Sequence, residues 1–460
     1  MAAELTAADI VAFAAREGNK MIEAQVNMKA RLFAALDKQQ MKGRRSVINI
    51  VDGGLSSTTQ VEDFGALPSE AANVPAQGFV DAVGYVSRLG LGRIALHTLA
   101  GVDDSADLLD LQLQIAADDM ARQIGRAMFG NQLASPQAGA TWSAVSGGST
   151  SVTIPFDGGI ADFREGEAYV WEADTGAANL SVLVLCTDVA FVAGQDNRVN
   201  VTFVAGVGGV PGYDTSEVAD GIVSAANGPT AAVTTADAFY LRGSRVLTPI
   251  GGFPGGAGNL TVITPAAANA GLVTLDVVTS PTLALHGLAA GSRGWTGITF
   301  SSVGSPTAEL FMGKSKLVQA RAGTAPTHLV LGALASAAYG AQQITAGQVG
   351  FGSSSLTQPR RAVDGKLDKY GKDADMESGL SMFGRPVLVD DNCPTTNAYL
   401  INKDYLKVGE WKKLSAEDEG GSPLLLSRST FSKEVQYSCI YNLICRKRNS
   451  HAKLSGLTIV

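Results

Sequence analysis

The apolar positions of the chain follow two periods, one helical and one extended. Thr6 or Asp9 can cap a first helix, since apolar residues recur at helical spacing over residues 10–36. The same spacing returns more strongly from Asp103 to Gly130, where about 25 residues would span about 38 Å. This second segment predicts a helix long enough to form the backbone of a domain.

The basic residues after the first helix have a simple explanation. Lys38, Lys42, Arg44 and Arg45 would complement the dipole at a helix C-terminus, and contact with nucleic acid is the alternative.

Short β-like runs follow each predicted helix. Val47–Val51 and Phe79–Val86 lie in residues 46–100, a loop-rich segment that cannot bury enough apolar area alone. We therefore expect this segment to pack on a neighbouring subunit. Residues 140–305 contain eight further candidate strands between Gly- and Pro-rich turns, which predicts an antiparallel sandwich or barrel. These strands are Ser151–Phe156, Glu167–Trp171, Leu180–Cys186, Arg198–Val204, Ala238–Leu241, Leu260–Ile263, Leu272–Val278 and Thr296–Ser301.

The pattern after Pro306 mixes both periods. Helical spacing over 310–321 precedes a turn and buried strand at 325–332 and a short helix at 333–339. Residues 384–411 predict a strand, a polar turn and a second strand, and 432–446 alternate as a last long strand. Two polar segments, 352–380 and 411–421, are expected to be loops.

Composition limits the classes of function. The net charge of −7, from 36 basic and 43 acidic residues, argues against one basic face that grips phosphates. The four cysteines, Cys186, Cys393, Cys439 and Cys445, are scattered and are expected to be reduced core residues. The N-terminus shows no secretory pattern, and the most apolar run, 180–192, is too short to span a membrane.

No motif in the sequence carries a convincing chemistry. Gly313-Lys314-Ser315 lacks the glycine that a phosphate-binding loop needs at Ala308, and His328 has no second ligand at metal spacing. The pair Asp390-Asp391 diverges along the chain, so turn formation explains it. Arg446-Lys447-Arg448 could face nucleic acid, although a solvated strand end fits equally well. We predict no catalytic, cofactor-binding or metal-binding residues and no enzyme activity.

The strand–turn–strand segment at 384–411 carries a family resemblance. Gly384-Arg385-Pro386-Val387, the Cys393-Pro394 turn and Tyr399-Leu400-Ile401 resemble the C-terminal segment of tailed-bacteriophage major capsid proteins with the HK-ninety-seven-type fold. Ala325-Pro326-Thr327-His328-Leu329-Val330-Leu331 and the order of the predicted elements are also similar to that family.

The resemblance implies an α+β fold with named parts. Residues 1–45 would be an N-terminal helical arm, 46–100 an extended loop and peripheral-domain strand, and 101–139 the peripheral-domain spine helix. Residues 306–460 would complete the peripheral and axial domains. The all-β block at 140–305 would be an insertion domain.

The implied function is structural. The chain would be a major capsid subunit that self-assembles through hexamers and pentamers into an icosahedral shell around a double-stranded DNA genome. Scaffolding, portal and decoration proteins are expected partners, with non-specific contact to packaged DNA and none to a membrane. The location would be the virion, after assembly in the host cytoplasm, and no cofactor is expected.

Cross-linked members of that family join an extended-loop lysine to a neighbour's asparagine. Because no lysine occurs between Lys42 and Lys314, we expect a non-covalent shell. We also expect either no cleaved N-terminal scaffolding region or a separate scaffolding protein. Two alternatives stay open: an encapsulin-type nanocompartment, and a β-rich phage tail or surface-binding protein whose working part is 140–305.

Overall fold

A computed structural model defines the architecture of much of the chain. It describes residues 30–50, 76–92, 120–130, 132–134, 149–155, 163–165, 168–174, 179–192, 195–205, 238–241, 247–249, 260–262, 273–291, 295–345, 381–382, 385–416, 425–426 and 432–458. The predicted helix over residues 10–29, the start of the helix at Asp103 and the loop at 352–380 lie outside these residues.

The described helices and strands are numbered here in chain order. The helices are α1 Arg31–Ala35, α2 120–129, α3 Leu275–Thr279, α4 Ala308–Ala322 and α5 Ala333–Thr345. The strands are β1 Lys38–Gln40, β2 Arg45–Ile50, β3 Ala76–Asp81, β4 Val83–Gly92, β5 Gln132–Ala134, β6 Ser149–Pro155, β7 Ala168–Asp174, β8 Asn179–Val192, β9 Gln195–Ala205, β10 Ala238–Leu241, β11 Leu247–Pro249, β12 Leu260–Val262, β13 Ile298–Phe300, β14 His328–Leu331, β15 Ser381–Met382, β16 Arg385–Val389, β17 Asn397–Ile401, β18 Leu406–Ala416, β19 Leu425–Leu426, β20 Ser432–Cys445 and β21 Ala452–Ser455.

One mixed sheet forms the centre of three layers. Its strand order is β13-β21-β17-β14-β16-β15. Successive residues of a strand point to opposite faces, so Leu329 and Leu331 pack with α4 and α5, while Val330 packs with α2. On the first side, Phe311 of α4 meets Tyr339 of α5 edge to face at 5.4 Å. Both faces of this sheet are therefore buried, and the α+β class predicted from the sequence is confirmed.

A second sheet surrounds the long strand β20. Strand β18 and strand β4 both pair with Tyr437–Tyr441 of β20, so they lie on its two opposite edges. Strand β1 extends the sheet beyond β18 in parallel. The predicted last long strand is confirmed as β20, and Tyr437, Cys439 and Tyr441 of this strand are buried in one core with α1.

A third sheet accounts for most of the predicted β-rich block. Its order is β5-β10-β7-β8-β9-β6, and all its pairings are antiparallel. Phe163 lies 5.1 Å from Tyr169 and 6.0 Å from Phe239 between ring centroids, which gives this sheet an aromatic centre. Strands β11 and β12 form a separate small hairpin.

Two predicted elements are wrong. Residues 272–278 were expected as a strand, yet Thr274 caps α3 by accepting a hydrogen bond from the Val277 amide at 3.3 Å. Residues 273–278 are all wholly or largely buried, so this part of the run has no alternation from which helix and strand can be told apart. Residues 411–416 were expected as a charged loop but continue β18, which pairs with β20.

The basic residues after the first helix also have a different role. Helix α1 ends at Ala35 without a basic residue in its last turn. Lys38 begins β1 instead, with its Nζ 4.7 Å from the centroid of the Phe33 ring. Arg45 begins β2 and pairs with Asp81, so neither residue caps a helix.

Candidate functional site

Strands β2 and β3 form a two-stranded ribbon that has no other strand beside it among the described residues. Six residue pairs hold it, from Arg45 opposite Asp81 to Ile50 opposite Ala76. The predicted runs at 47–51 and 79–86 lie largely within this ribbon and the strand β4 that follows it. The connecting residues 51–75 lie outside the described part of the chain.

The inward face of the ribbon is part of the main core. Ile48, Ile50 and Val80 are buried there. Gly78 permits the close approach, because a side chain at this position would overlap Ile50 and would lie 2.9 Å from Cβ of His286.

The outward face of the ribbon presents three layers of paired side chains. Val47 and Phe79 are direct cross-strand partners, yet they are 56% and 46% exposed. On one side of them, Arg45 binds Asp81 at 2.7 Å, and its guanidinium carbon lies 5.7 Å from the Phe79 ring centroid. On the other side Asn49 and Gln77 are opposite each other and exposed. An apolar pair is thus exposed to solvent between two polar pairs, whereas the apolar residues of the inner face are buried in the core.

The base of the ribbon is fixed by backbone hydrogen bonds. The Phe79 amide donates to the His286 carbonyl at 2.9 Å, and the Ala82 amide donates to the Arg44 carbonyl at 3.1 Å. The Asn442 Nδ2 group donates to the Asp81 carbonyl at 2.9 Å, which ties the ribbon to β20. These bonds hold the exposed pair in a defined place relative to the core.

His286 occupies a special position at this base. Its φ of 55° places it in the left-handed region within a two-residue turn closed by Leu285 and Leu288. Its Nε2 accepts a hydrogen bond from the Cys445 amide at 3.0 Å. Burial, reinforced by the nearby Arg448, lowers the pKa of His286 to about 3, so the ring is neutral at pH 7.

The sequence singled out a different histidine. His328 is only half-buried, with Nδ1 2.9 Å from the Thr327 hydroxyl. Among the histidines in the described part of the chain, His286 and His451 are buried, and the His451 Nδ1 accepts from the Asn402 amide at 3.2 Å. Neither sits in an apolar strand pattern, so local sequence gave no signal for them.

The turn at residues 390–394 joins segments that are distant in sequence. Asp390 is fully buried, and its Oδ2 accepts from the Leu32 amide of α1 at 2.8 Å. Its Oδ1 accepts from the amide and side chain of Asn392, whose carbonyl accepts from Arg126 of α2 at 3.0 Å. Burial raises the pKa of Asp390. Asp391 is exposed, so the adjacent carboxylates diverge as expected.

Arg448 departs from the open basic cluster considered from the sequence. Its guanidinium is buried and donates to the carbonyl oxygens of Val277, Val278, Ser280 and Leu283 at 2.5–2.8 Å. It thereby fixes the end of α3 and the loop after it. Burial lowers the pKa of Arg448 to about 10, so the guanidinium stays charged at pH 7. Its charge is directed at these carbonyl oxygens inside the protein.

The described residues contain neither a metal-binding cluster nor a membrane-spanning helix. No group of three or more His, Cys, Asp or Glu side chains there could hold a metal ion. No described helix combines the length and apolar character needed to cross a bilayer. The four cysteines are buried and unbridged, as predicted.

Comparison with known proteins gives matches in structure only. No protein-family model matches the sequence, and no curated protein matches it. A virus-like particle from Pyrococcus furiosus matches over 96% of this chain and 98% of its own, with 9% identity and a TM-score of 0.36. The capsid of cyanophage A-1(L) matches over 94% and 93%, with 10% identity and a TM-score of 0.40.

The encapsulin of the holo-SrpI complex from Synechococcus elongatus matches over 94% of this chain and 88% of its own, with 10% identity and a TM-score of 0.37. The matched structures thus include the phage capsids that the sequence resembles and the encapsulins kept as an alternative. At these values the likeness concerns the fold alone, so the function proposed below rests on the geometry of the chain.

Proposed function

We propose that the chain is a structural subunit that assembles with copies of itself into a closed shell. The observation that carries this proposal is the outward face of the ribbon, where Val47 and Phe79 form an exposed apolar pair on a firmly anchored base. A two-stranded ribbon is marginal in water on its own, and an apolar face on it gains stability when another chain covers it. The second surface in this contact belongs to a neighbouring copy.

Closed assemblies follow from repeated contacts of this kind. When one patch meets a different patch on the next copy, the contact is heterologous and generates rings if the rotation closes. Covering the Val47 and Phe79 side chains contributes on the order of 1–2 kcal/mol each. Such contacts are individually modest, and the shell gains stability because many are made together.

The more specific form of the proposal is a major capsid subunit of a tailed, double-stranded DNA phage. Hexamers and pentamers would form the icosahedral shell, with scaffolding, portal and decoration proteins as partners. Its net charge of −7 suits a container that touches packaged DNA without gripping it. The chain would assemble in the host cytoplasm and remain in the virion, and it would act without catalysis.

The division of the chain proposed from the sequence gains partial support. Five strands of the six-stranded antiparallel sheet, β6 to β10, lie within 140–305, which suits an insertion domain, whereas β5 lies before that range. The end of that domain needs adjustment, because Val273, Leu275 and Trp295 pack in the core that contains α1 and α2, and β13 pairs with β21. We therefore place the end of the insertion before residue 273.

The test compares assembly of the wild type with a charged and an apolar variant of the ribbon face. Phe79→Asp should stay as folded subunits, while the wild type and the control Phe79→Leu form closed shells. The measurements are electron microscopy and sedimentation velocity, with and without a co-expressed scaffold. An unchanged urea midpoint shows that Phe79→Asp is folded.

The contents of the particles distinguish a phage capsid from an encapsulin-type compartment. Nuclease-resistant DNA inside the shells favours the capsid, and co-purified protein cargo favours the encapsulin-type compartment. A wild-type chain that stays monomeric or forms fibres contradicts both and favours a β-rich tail or surface-binding protein. Assembly of Phe79→Asp at the wild-type level would contradict the role of the ribbon face.

A further inference from the structure

Strand β4 is a long and regular edge strand. It comprises ten residues, Val83–Gly92, and pairs with β20 in ten consecutive positions without a register shift. By contrast, the pairing of β18 with the other edge of β20 is interrupted twice. Ten residues correspond to about 34 Å of strand. Within the described residues, no strand pairs with the other edge of β4.

Strand β4 shows little of the usual protection against strand addition. Natural edge strands are commonly short, bulged, or marked by lysine or proline. Residues 83–92 contain neither lysine nor proline, and their single charged residue is Arg88. Tyr85 points inward, where its ring stacks on Tyr441 at 4.7 Å. Val86 is 56% exposed, and a side chain at Gly84 would meet no atom within 4 Å.

The position of β4 also connects it with the ribbon. Only Ala82 separates β3 from β4, so the exposed side chains of Val47, Phe79 and Val86 all lie on this ribbon and the strand that continues it. A shell contact on the ribbon would therefore bring the edge of β4 to the subunit boundary, where a further copy can reach it. This step rests on the proposed function.

We propose that β4 pairs edge to edge with β4 of a second copy across a two-fold axis. A two-fold axis makes two identical strands antiparallel, and it requires only one surface on each chain. Centred on Val86, this pairing sets Val86 opposite Val86 and Arg88 opposite Gly84 of the second copy. No like charges then face each other, and the exposed valines form an apolar cross-strand pair. The two five-stranded sheets would become one continuous sheet.

The first measurement is amide hydrogen exchange over residues 83–92, compared between free subunits and assembled particles. About half of the amides of an edge strand point away from its partner, so they exchange freely until a second strand is added. We expect their exchange to slow at least tenfold on assembly, while the amides already bonded to β20 change little.

The second measurement identifies the occupant through a disulfide. Residues directly opposite each other in an antiparallel pair lie within the Cα separation that a disulfide accepts. Val86→Cys should form a covalent dimer under mild oxidation. Val47→Cys is the matched control, since Val47 is also 56% exposed but lies on the ribbon face, away from this axis. The native cysteines are all buried, so they do not compete.

The outcomes test the β4 pairing and the shell function separately. Shells that form without slower exchange at 83–92 overturn the strand pairing and leave the shell function standing. Slower exchange without a Val86→Cys dimer also overturns it, because another segment or protein then occupies the edge. A Val86→Cys dimer from a chain that never forms shells supports the pairing and contradicts the shell. Neither dimer nor shells would overturn both.

Discussion

At the scale of single residues, glycine positions show how tightly the turn at 390–394 is packed. Gly125 lies in α2, where an added Cβ would overlap the side chain of Asn392. Gly313 lies in α4, where an added Cβ would meet no atom within 4 Å. The two positions are therefore a matched pair in which helix propensity is the same and packing differs.

We expect the same substitution to change stability in opposite directions at these positions. Gly313→Ala should raise the free energy of unfolding by about 0.5–1 kcal/mol, because alanine loses less backbone entropy in a helix. Gly125→Ala should lower it by about 1–3 kcal/mol, because the Asn392 side chain must move and leave its hydrogen bond with Asp390. Urea unfolding of both variants measures the difference. A stabilising Gly125→Ala would show that the turn yields easily.

His286 predicts a sensitivity to acid. Its folded pKa of about 3 lies below the ordinary value of 6.5, because burial disfavours the charged ring. The neutral ring therefore contributes stability that is fully present above pH 6.5 and is lost as the pH falls towards 3. Asp390, whose pKa is raised by burial, contributes with the opposite sign and does not cause this loss.

The test removes the titrating ring and keeps a hydrogen-bond acceptor. His286→Gln can still accept from the Cys445 amide but takes up no proton. Between pH 6 and pH 4, the free energy of unfolding of the wild type should fall more steeply than that of His286→Gln. The difference should be about 1.4 kcal/mol per pH unit, the value for one proton. Parallel curves from urea unfolding at each pH would contradict this assignment.

At the scale of elements, local periodicity was sufficient where one face of an element is buried. The alternation of Tyr437, Cys439 and Tyr441 identifies β20, and the stop at Gly130 ends α2 where the structure ends it. The run at 273–279 has no exposed side from which to read a period, so the cap at Thr274 decides its conformation. The β20 residues that pair with Lys412, Ser415 and Ala416 lie 21 to 28 positions further along the chain, so the charged sequence of 411–416 resembles a loop when it is read locally.

The candidate site could be predicted only in part, because many of its contacts join residues that are distant in sequence. The sequence indicated that 46–100 is extended and needs a neighbour, and the ribbon fits that prediction. It gave no sign of the bond from Leu32 to Asp390, which joins residues 358 positions apart, or of the bond from Cys445 to His286, which spans 159. Contacts of this kind depend on the tertiary fold and leave no local pattern.

At the scale of the whole molecule, the positions of the lysines limit where covalent cross-links between subunits can form. All 16 lysines lie at or before Lys42 or at or after Lys314, so the ribbon, β4 and the β-rich sheet contain none. An isopeptide bond needs a lysine amine at the reacting position. The ribbon and its connecting residues therefore cannot supply one to a neighbour, and we expect the proposed shell to be held by packing and strand contacts.

We expect assembled particles boiled in denaturant with reductant to give one band at the 47.5 kDa mass of the subunit. Tryptic mass spectrometry should find no pair of peptides joined by an isopeptide bond. A variant that adds a lysine to the ribbon, Gln77→Lys, serves as a control for detection, because a chemical amine cross-linker should join it to neighbours in the shell. A ladder of bands in the untreated wild type would show that lysines outside residues 43–313 form covalent links and would contradict the non-covalent shell.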